Sequence, residues 1–119
     1  MKTKGQLEAE ISDAIVKFEK EYMGRGPDEA KAYVIDDLVV IRLHRILTPA
    51  EKQLAKTEND KGRSLVKEVR AALLEKGRPF LEEIVLDITG CKVKSLHSDI
   101  STATGEGIII FTLDKSLTD

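Results

Sequence analysis

Tryptophan is absent, and only five of the 119 residues are aromatic, three Phe and two Tyr. That is too little ring surface for the stacking platforms that hold single-stranded nucleic acid. The single cysteine, Cys91, excludes an intrachain disulfide. Neither charge sign dominates: 19 Lys and Arg stand against 21 Asp and Glu, a net charge of -2. The bulk positive field of a non-specific nucleic-acid binder is therefore missing, and no nucleic-acid partner is expected. No apolar run approaches the roughly 20 residues of a membrane span. The start of the chain lacks the apolar stretch of a signal peptide. What is present, 41% hydrophobic and 34% charged residues, is enough for one packed core. The expectation is one soluble, cytoplasmic domain over residues 1–119, ordered from about 5 to 114.

An amphipathic helix is predicted over residues 5–23. Leu7, Ile11, Ala14, Ile15, Phe18 and Tyr22 form one stripe, while Glu8, Glu10, Asp13, Lys17, Glu19, Lys20 and Glu21 fill most of the other face. Gly24-Arg25-Gly26-Pro27 ends it. This run is not a phosphate loop, because it follows a helix and no Gly-Lys-Ser/Thr is present. Residues 31–45 read as a β-hairpin: Ala32–Ile35, a turn at Asp36-Asp37, then Leu38–His44. Thr48-Pro49-Ala50-Glu51 is a helix start with a capping box and proline in the first turn. A polar stretch, Lys56 to Gly62, then reads as an exposed helix middle or a break. A break near Gly62 is the reading taken, with the stripe resuming at Leu65, Val66, Val69, Ala72 and Leu73. Gly77-Arg78-Pro79 reads as an interruption, followed by a helix from Pro79 to Thr89 that presents Leu81, Ile84, Val85 and Ile88. A second hairpin follows, Val93–Ser101 and Ile108–Leu113 around the loop 102–107, with a loose polar tail from Asp114.

The order αββααββ implies an α+β domain: a two-layer sandwich with a four-stranded, mainly antiparallel sheet and helices on one face. It is also the element order of a circularly permuted ferredoxin-like domain. A sheet with one wet face should alternate apolar and polar residues. Leu38–Ile41 and Ile108–Phe111 are apolar on both faces. Either a second subunit covers the second face, or the N-terminal helix crosses to it. The first reading makes the protein a homo-oligomer, most simply a dimer. With Val39, Ile41, Leu43, Leu96, Ile100, Ile109 and Phe111 turned to the helices, the other face holds Val40, Arg42, His44, Ser95, His97, Asp99, Ile108, Ile110 and Thr112.

That second face gathers the only candidate chemistry: Arg42, His44, His97 and Asp99. His97-Ser98-Asp99 fails as a triad, because Ser98 points away from its neighbours. His97 and Asp99 remain a base-and-orienter pair without a nucleophile, Ser95 and Ser101 being candidates by spacing only. The bland reading, a polar strand face, is preferred, and no catalytic residue is assigned. His44, His97 and Cys91 lack metal-ligand spacing, so no metal or cofactor is assigned. Cys91 follows a helix C-terminus, where the dipole does not favour a thiolate, and reads as a small packing residue. Arg42, Arg45, Lys92 and Lys94 read as edge-protecting charges.

Three early runs carry a resemblance: Gly24-Arg25-Gly26-Pro27, the stretch from Tyr33 to Asp37-Leu38-Val39-Val40, and Leu47-Thr48-Pro49-Ala50-Glu51-Lys52. With Leu96-His97-Ser98-Asp99-Ile100-Ser101, they resemble the MpsC-like family over about Leu7 to Asp114. This is a family of small bacterial proteins named for a sodium-translocating, membrane-potential-generating system. The resemblance carries no catalytic residues. It implies association with a membrane transport system, with this chain as a soluble accessory subunit and a protein of the membrane complex as a partner. Three functions compete. The first is a non-enzymatic homo-oligomeric interaction module. The second is a small-molecule sensor with a site at the subunit interface near Arg42, His44 and His97. The third, least supported, is a small hydrolase-like enzyme using His97 and Asp99.

Overall fold

The computed structural model describes residues 2–56 and 60–118. Helix α1 (Lys4–Tyr22) is followed by strands β1 (Glu29–Ile35) and β2 (Leu38–His44), then helices α2 (Pro49–Ala55) and α3 (Asp60–Thr89), then strands β3 (Val93–Ile100) and β4 (Gly107–Leu113). The four strands form one antiparallel sheet in the order β1-β2-β4-β3. Two hairpins are thus joined through their inner strands. The domain is α+β in the order read from the sequence.

Local chemistry explains the element boundaries. Thr3 caps α1: its hydroxyl accepts from the Gln6 N–H, and Gln6 Oε1 accepts from the Thr3 N–H. Gly24, at φ 87°, takes the left-handed turn that ends the helix. Thr48 and Glu51 form the same reciprocal box at the start of α2, with Pro49 in the first turn. The β1–β2 turn is Asp36-Asp37. Asp36 takes φ 56°, which a short acidic side chain tolerates better than most. The tail, expected to be loose, is pinned to that turn: the Leu117 N–H donates to the Asp36 carbonyl at 2.8 Å, and Leu117 packs on the core.

Helix α3 departs from the sequence reading in three ways. The break between α2 and α3 precedes Asp60, and the polar residues 57–59 lie outside the described residues. Gly62 is buried within α3 and ends nothing. Gly77-Arg78-Pro79 does not interrupt the helix; α3 runs through it for 30 residues. Proline removes one backbone N–H, but the buried ladder Val66, Arg70, Leu74, Gly77, Leu81 and Val85 continues on both sides. Packing along that ladder outweighs the lost bond. Arg78 spans the site, reaching Glu75 and Glu82. Gly77 lies tight against α1: a Cβ there would lie 2.9 Å from Phe18 Cζ. The third difference is the face. Val66 is buried, but Leu65, Val69 and Leu73 are 39–52% exposed, because the helix is rotated to centre Arg70 on the core.

The core lies between the helices and one sheet face. Leu7, Ile11, Ile15 and Phe18 from α1 meet Val34, Val39, Ile41, Ile109 and Phe111 from the strands. Helix α1 does not cross to the other face. It lies along the β1 edge, where Ser12 Oγ accepts from the Ala32 N–H and Glu8 Oε2 from the Val34 N–H. Those two bonds occupy donors that an open edge strand would leave free. At the opposite edge, β3 carries a register irregularity between Val93 and Ser95.

Candidate functional site

The outer face of the sheet is assembled by register. Tyr33, Val40, Ile110 and His97 form one cross-strand row, and Lys31, Arg42, Ile108 and Asp99 the next. Ile35, Leu38, Thr112 and Ser95 form a third. Tyr33 is 40% exposed and Ile35 53%. Val40, Ile108 and Ile110 are half-buried.

The four singled-out polar residues share this face but do not converge. Arg42 and Asp99 are separated by Ile108, two strand spacings or roughly 10 Å apart across the sheet. The Arg42 guanidinium donates to Glu106 at 2.7 Å. That hydrogen bond holds the Glu106 carboxyl below the usual range and raises Arg42. Asp99 accepts from the Ile100 N–H at 2.8 Å and pairs with Lys67 at 3.1 Å, and both lower its pKa. The same Asp99 oxygen serves both partners, and neither of them is His97. His97 is exposed on β3 and His44 half-buried on β2. Ser98 pairs with Ile109, whose side chain enters the core, and so stands on the opposite face from His97 and Asp99. Among the described residues, no three His, Cys, Asp or Glu side chains come together as a metal would need. Cys91 is buried in the core.

A second polar group lies between helices and sheet, and the residue pattern had placed one of its members, Glu19, on a solvated face. Glu19, only 3% exposed, and Arg70, 8% exposed, are the buried charged side chains. Arg70 holds Glu51 through two bonds, Nε to Oε2 at 2.9 Å and Nη2 to Oε1 at 2.7 Å. Nη2 also donates to the Ile46 carbonyl at 2.7 Å. This fork ties α3 to the first turn of α2. Burial works against the Glu51 charge, but the bonds from Arg70 and Thr48 outweigh it and its pKa falls. Glu19 has the opposite balance: burial dominates, Arg70 opposes it, Glu51 adds to it, and the pKa rises to about 7. Its Oε2 has no hydrogen-bond partner among the described residues. Glu19 and Arg70 both line a cavity of about 60 Å³ with Met23, Leu43, Ile46 and Leu74. The sequence held a signal for both. Glu19 continues the ladder Ile11, Ile15 at i+4, and Arg70 sits midway between Val66 and Leu74.

Comparison with known proteins gives the family. The profile described as "Na+-translocating membrane potential-generating system (MpsC)" matches residues 3–115. The chain belongs to the MpsC family. Two relatives from Bacillus subtilis (strain 168) are similar to it. "Uncharacterized protein YbcI" is 41% identical over 116 residues, covering 98% of this chain and 92% of its own. "Uncharacterized protein YrhF" is 28% identical over 112 residues, covering 91% and 88%. No solved structure matches. Among the described residues of this MpsC-family chain, no helix is long and apolar enough to cross a membrane.

Proposed function

We propose that the chain is a non-enzymatic interaction module that self-associates through the outer face of its sheet. The two-fold assembly then serves as a cytoplasmic accessory subunit of a membrane ion-transport system. The observation that carries the first part is the uncovered apolar field of Tyr33, Ile35, Leu38, Val40, Ile108 and Ile110. The buried side chains of α1 and α3 pack on the other side, and among the described residues no helix is packed over this face. Water against such a field is unfavourable by roughly 25 cal/mol per Å². A two-fold contact buries the same patch on both copies. Arg42 and Glu106, already paired with each other, bring little unpaired charge to such a contact, which supports interface polar groups over a ligand cradle. The second part rests on the family description.

The test is sedimentation equilibrium of wild type, Ile110→Val and Ile110→Asp at tens of micromolar. Ile110→Asp sets a carboxylate in each half of a desolvated contact. It is expected to give a folded monomer, while Ile110→Val stays associated. A monomeric wild type, or a folded Ile110→Asp that remains associated, contradicts the proposal.

A further inference from the structure

We propose that the groove between α1 and α3, on the helix layer and away from the sheet, is a docking site for a short basic amphipathic helix of a partner protein. The two helices run antiparallel. Lys2 Nζ reaches the Ile88 carbonyl at one end, and Phe18 and Tyr22 abut Gly77 at the other. Between these points lies an open groove of about 600 Å³. Its walls are two apolar rows, Ala14, Phe18 and Tyr22 on α1 and Phe80, Ile84 and Ile88 on α3. Each row is spaced i, i+4, i+8, or roughly 12 Å of helix. Two such rails suit a two- to three-turn helix that lays an apolar stripe between them.

The floor is unusual for this chain. Three of its five aromatic residues meet here: Phe18 stacks on Tyr22 with centroids 5.0 Å apart, and Tyr22 meets Phe80 at 6.4 Å. Phe80 is 58% exposed, more than any other large apolar side chain recorded as exposed. An aromatic anchor left in water at the mouth of a groove is the kind of side chain that dominates binding energy when covered.

Charge decides the occupant. Glu21, Glu83 and Asp87 line the rim with Lys17, and Lys2 at the far end is paired with Glu10. None of the three carboxylates has an ion-pair partner among the described residues. One turn away, Arg78 neutralises Glu75 and Glu82 but not Glu83. The rim therefore presents uncompensated negative charge around an apolar floor. An acidic helix, or the anionic surface of a membrane, is repelled by it; Lys or Arg flanking an apolar stripe is attracted.

The experiment titrates the isotope-labelled full chain with a 14-residue amphipathic Leu/Lys peptide and follows backbone amide shifts. Saturable shifts confined to residues 14–22 and 80–88 are expected. Phe80→Ala is expected to weaken binding at least ten-fold, with unchanged circular dichroism because Phe80 is exposed. The triple variant Glu21→Gln, Glu83→Gln, Asp87→Asn is expected to weaken it and to remove its salt dependence. Equal binding of a Leu/Glu peptide, shifts centred on the sheet, or indifference to both variants overturns the proposal. Concentration-dependent shifts in the groove without peptide make a second copy the occupant and also overturn it.

Discussion

Glu19 gives the fold a pH dependence that can be worked out in advance. In the unfolded chain its carboxyl titrates near the ordinary 4.5; in the folded protein burial lifts it to about 7. Between those values the folded state holds one proton that the unfolded state has lost. Stability then falls with rising pH by roughly 1.4 kcal/mol per unit. Across the interval the loss is about 3 kcal/mol, a large part of a typical 5–15 kcal/mol total. Glu51 acts at the other end. Its lowered pKa supplies stability that is present above the unfolded carboxylate value and lost as pH falls through the folded one. The two limbs meet, and stability peaks, near the ordinary carboxylate value of about 4.5. Glu19→Gln removes the alkaline limb while preserving shape. The variant should match wild type below about pH 4, exceed it by about 1.4 kcal/mol at pH 5.5 and exceed it by about 3 kcal/mol at pH 8. With no tryptophan in the chain, urea unfolding followed by helical circular dichroism is the assay, at one fixed protein concentration. A wild type whose stability is flat from pH 5 to 8 refutes the reasoning. So does a Glu19→Gln that is equally destabilised at both pH values.

Two further substitutions test the packing account. Gly77→Ala gains about 1 kcal/mol of helix propensity. Its new Cβ must displace Phe18 and Tyr22 rings at a cost of about 1–3 kcal/mol, so denaturation should show a net loss, partly recovered when Phe18→Leu is added. Thr48→Ala should cost about 0.5–2 kcal/mol and Thr48→Asp almost nothing; equal losses would assign Thr48 a packing role in place of capping.

Much of the fold was legible because the helical stripe of α1 is continuous and the strand period of two sorts residues by face even where both faces are apolar. Of the residues taken as turned to the helices, Val39, Ile41, Leu43, Ile100, Ile109 and Phe111 are buried and Leu96 is half-buried. Capping chemistry at Thr48 and the turn at Asp36-Asp37 could be read from adjacent residues. The misreadings arose where tertiary contacts overrule local preference. Pro79 and Gly77 are breakers in isolation, yet α1 needs the missing Cβ at Gly77, and the ladder from Val66 to Val85 holds the helix through Pro79. Leu65, Val69 and Leu73 made a plausible stripe, but the helix turned to bury Arg70. A residue-type pattern counts Arg and Glu as solvent-facing, so it hid the pairing of Glu19, Arg70 and Glu51 although Glu19 and Arg70 follow helical spacing. Edge protection by Glu8 and Ser12 was unreadable, since it depends on where α1 lies beside β1.

The central claim is that a second copy covers the outer face of the sheet. The most direct measurement mixes ¹³C-methyl-labelled protein with unlabelled protein and records only contacts between the two populations. The account predicts intermolecular contacts from the methyls of Leu38, Val40, Ile108 and Ile110 to one another and to the Tyr33 ring. Those of Ile11, Ile15 and Val85, buried in the core, should show none. Intermolecular contacts arising solely from the helix layer, or none at all at tens of micromolar, would contradict it.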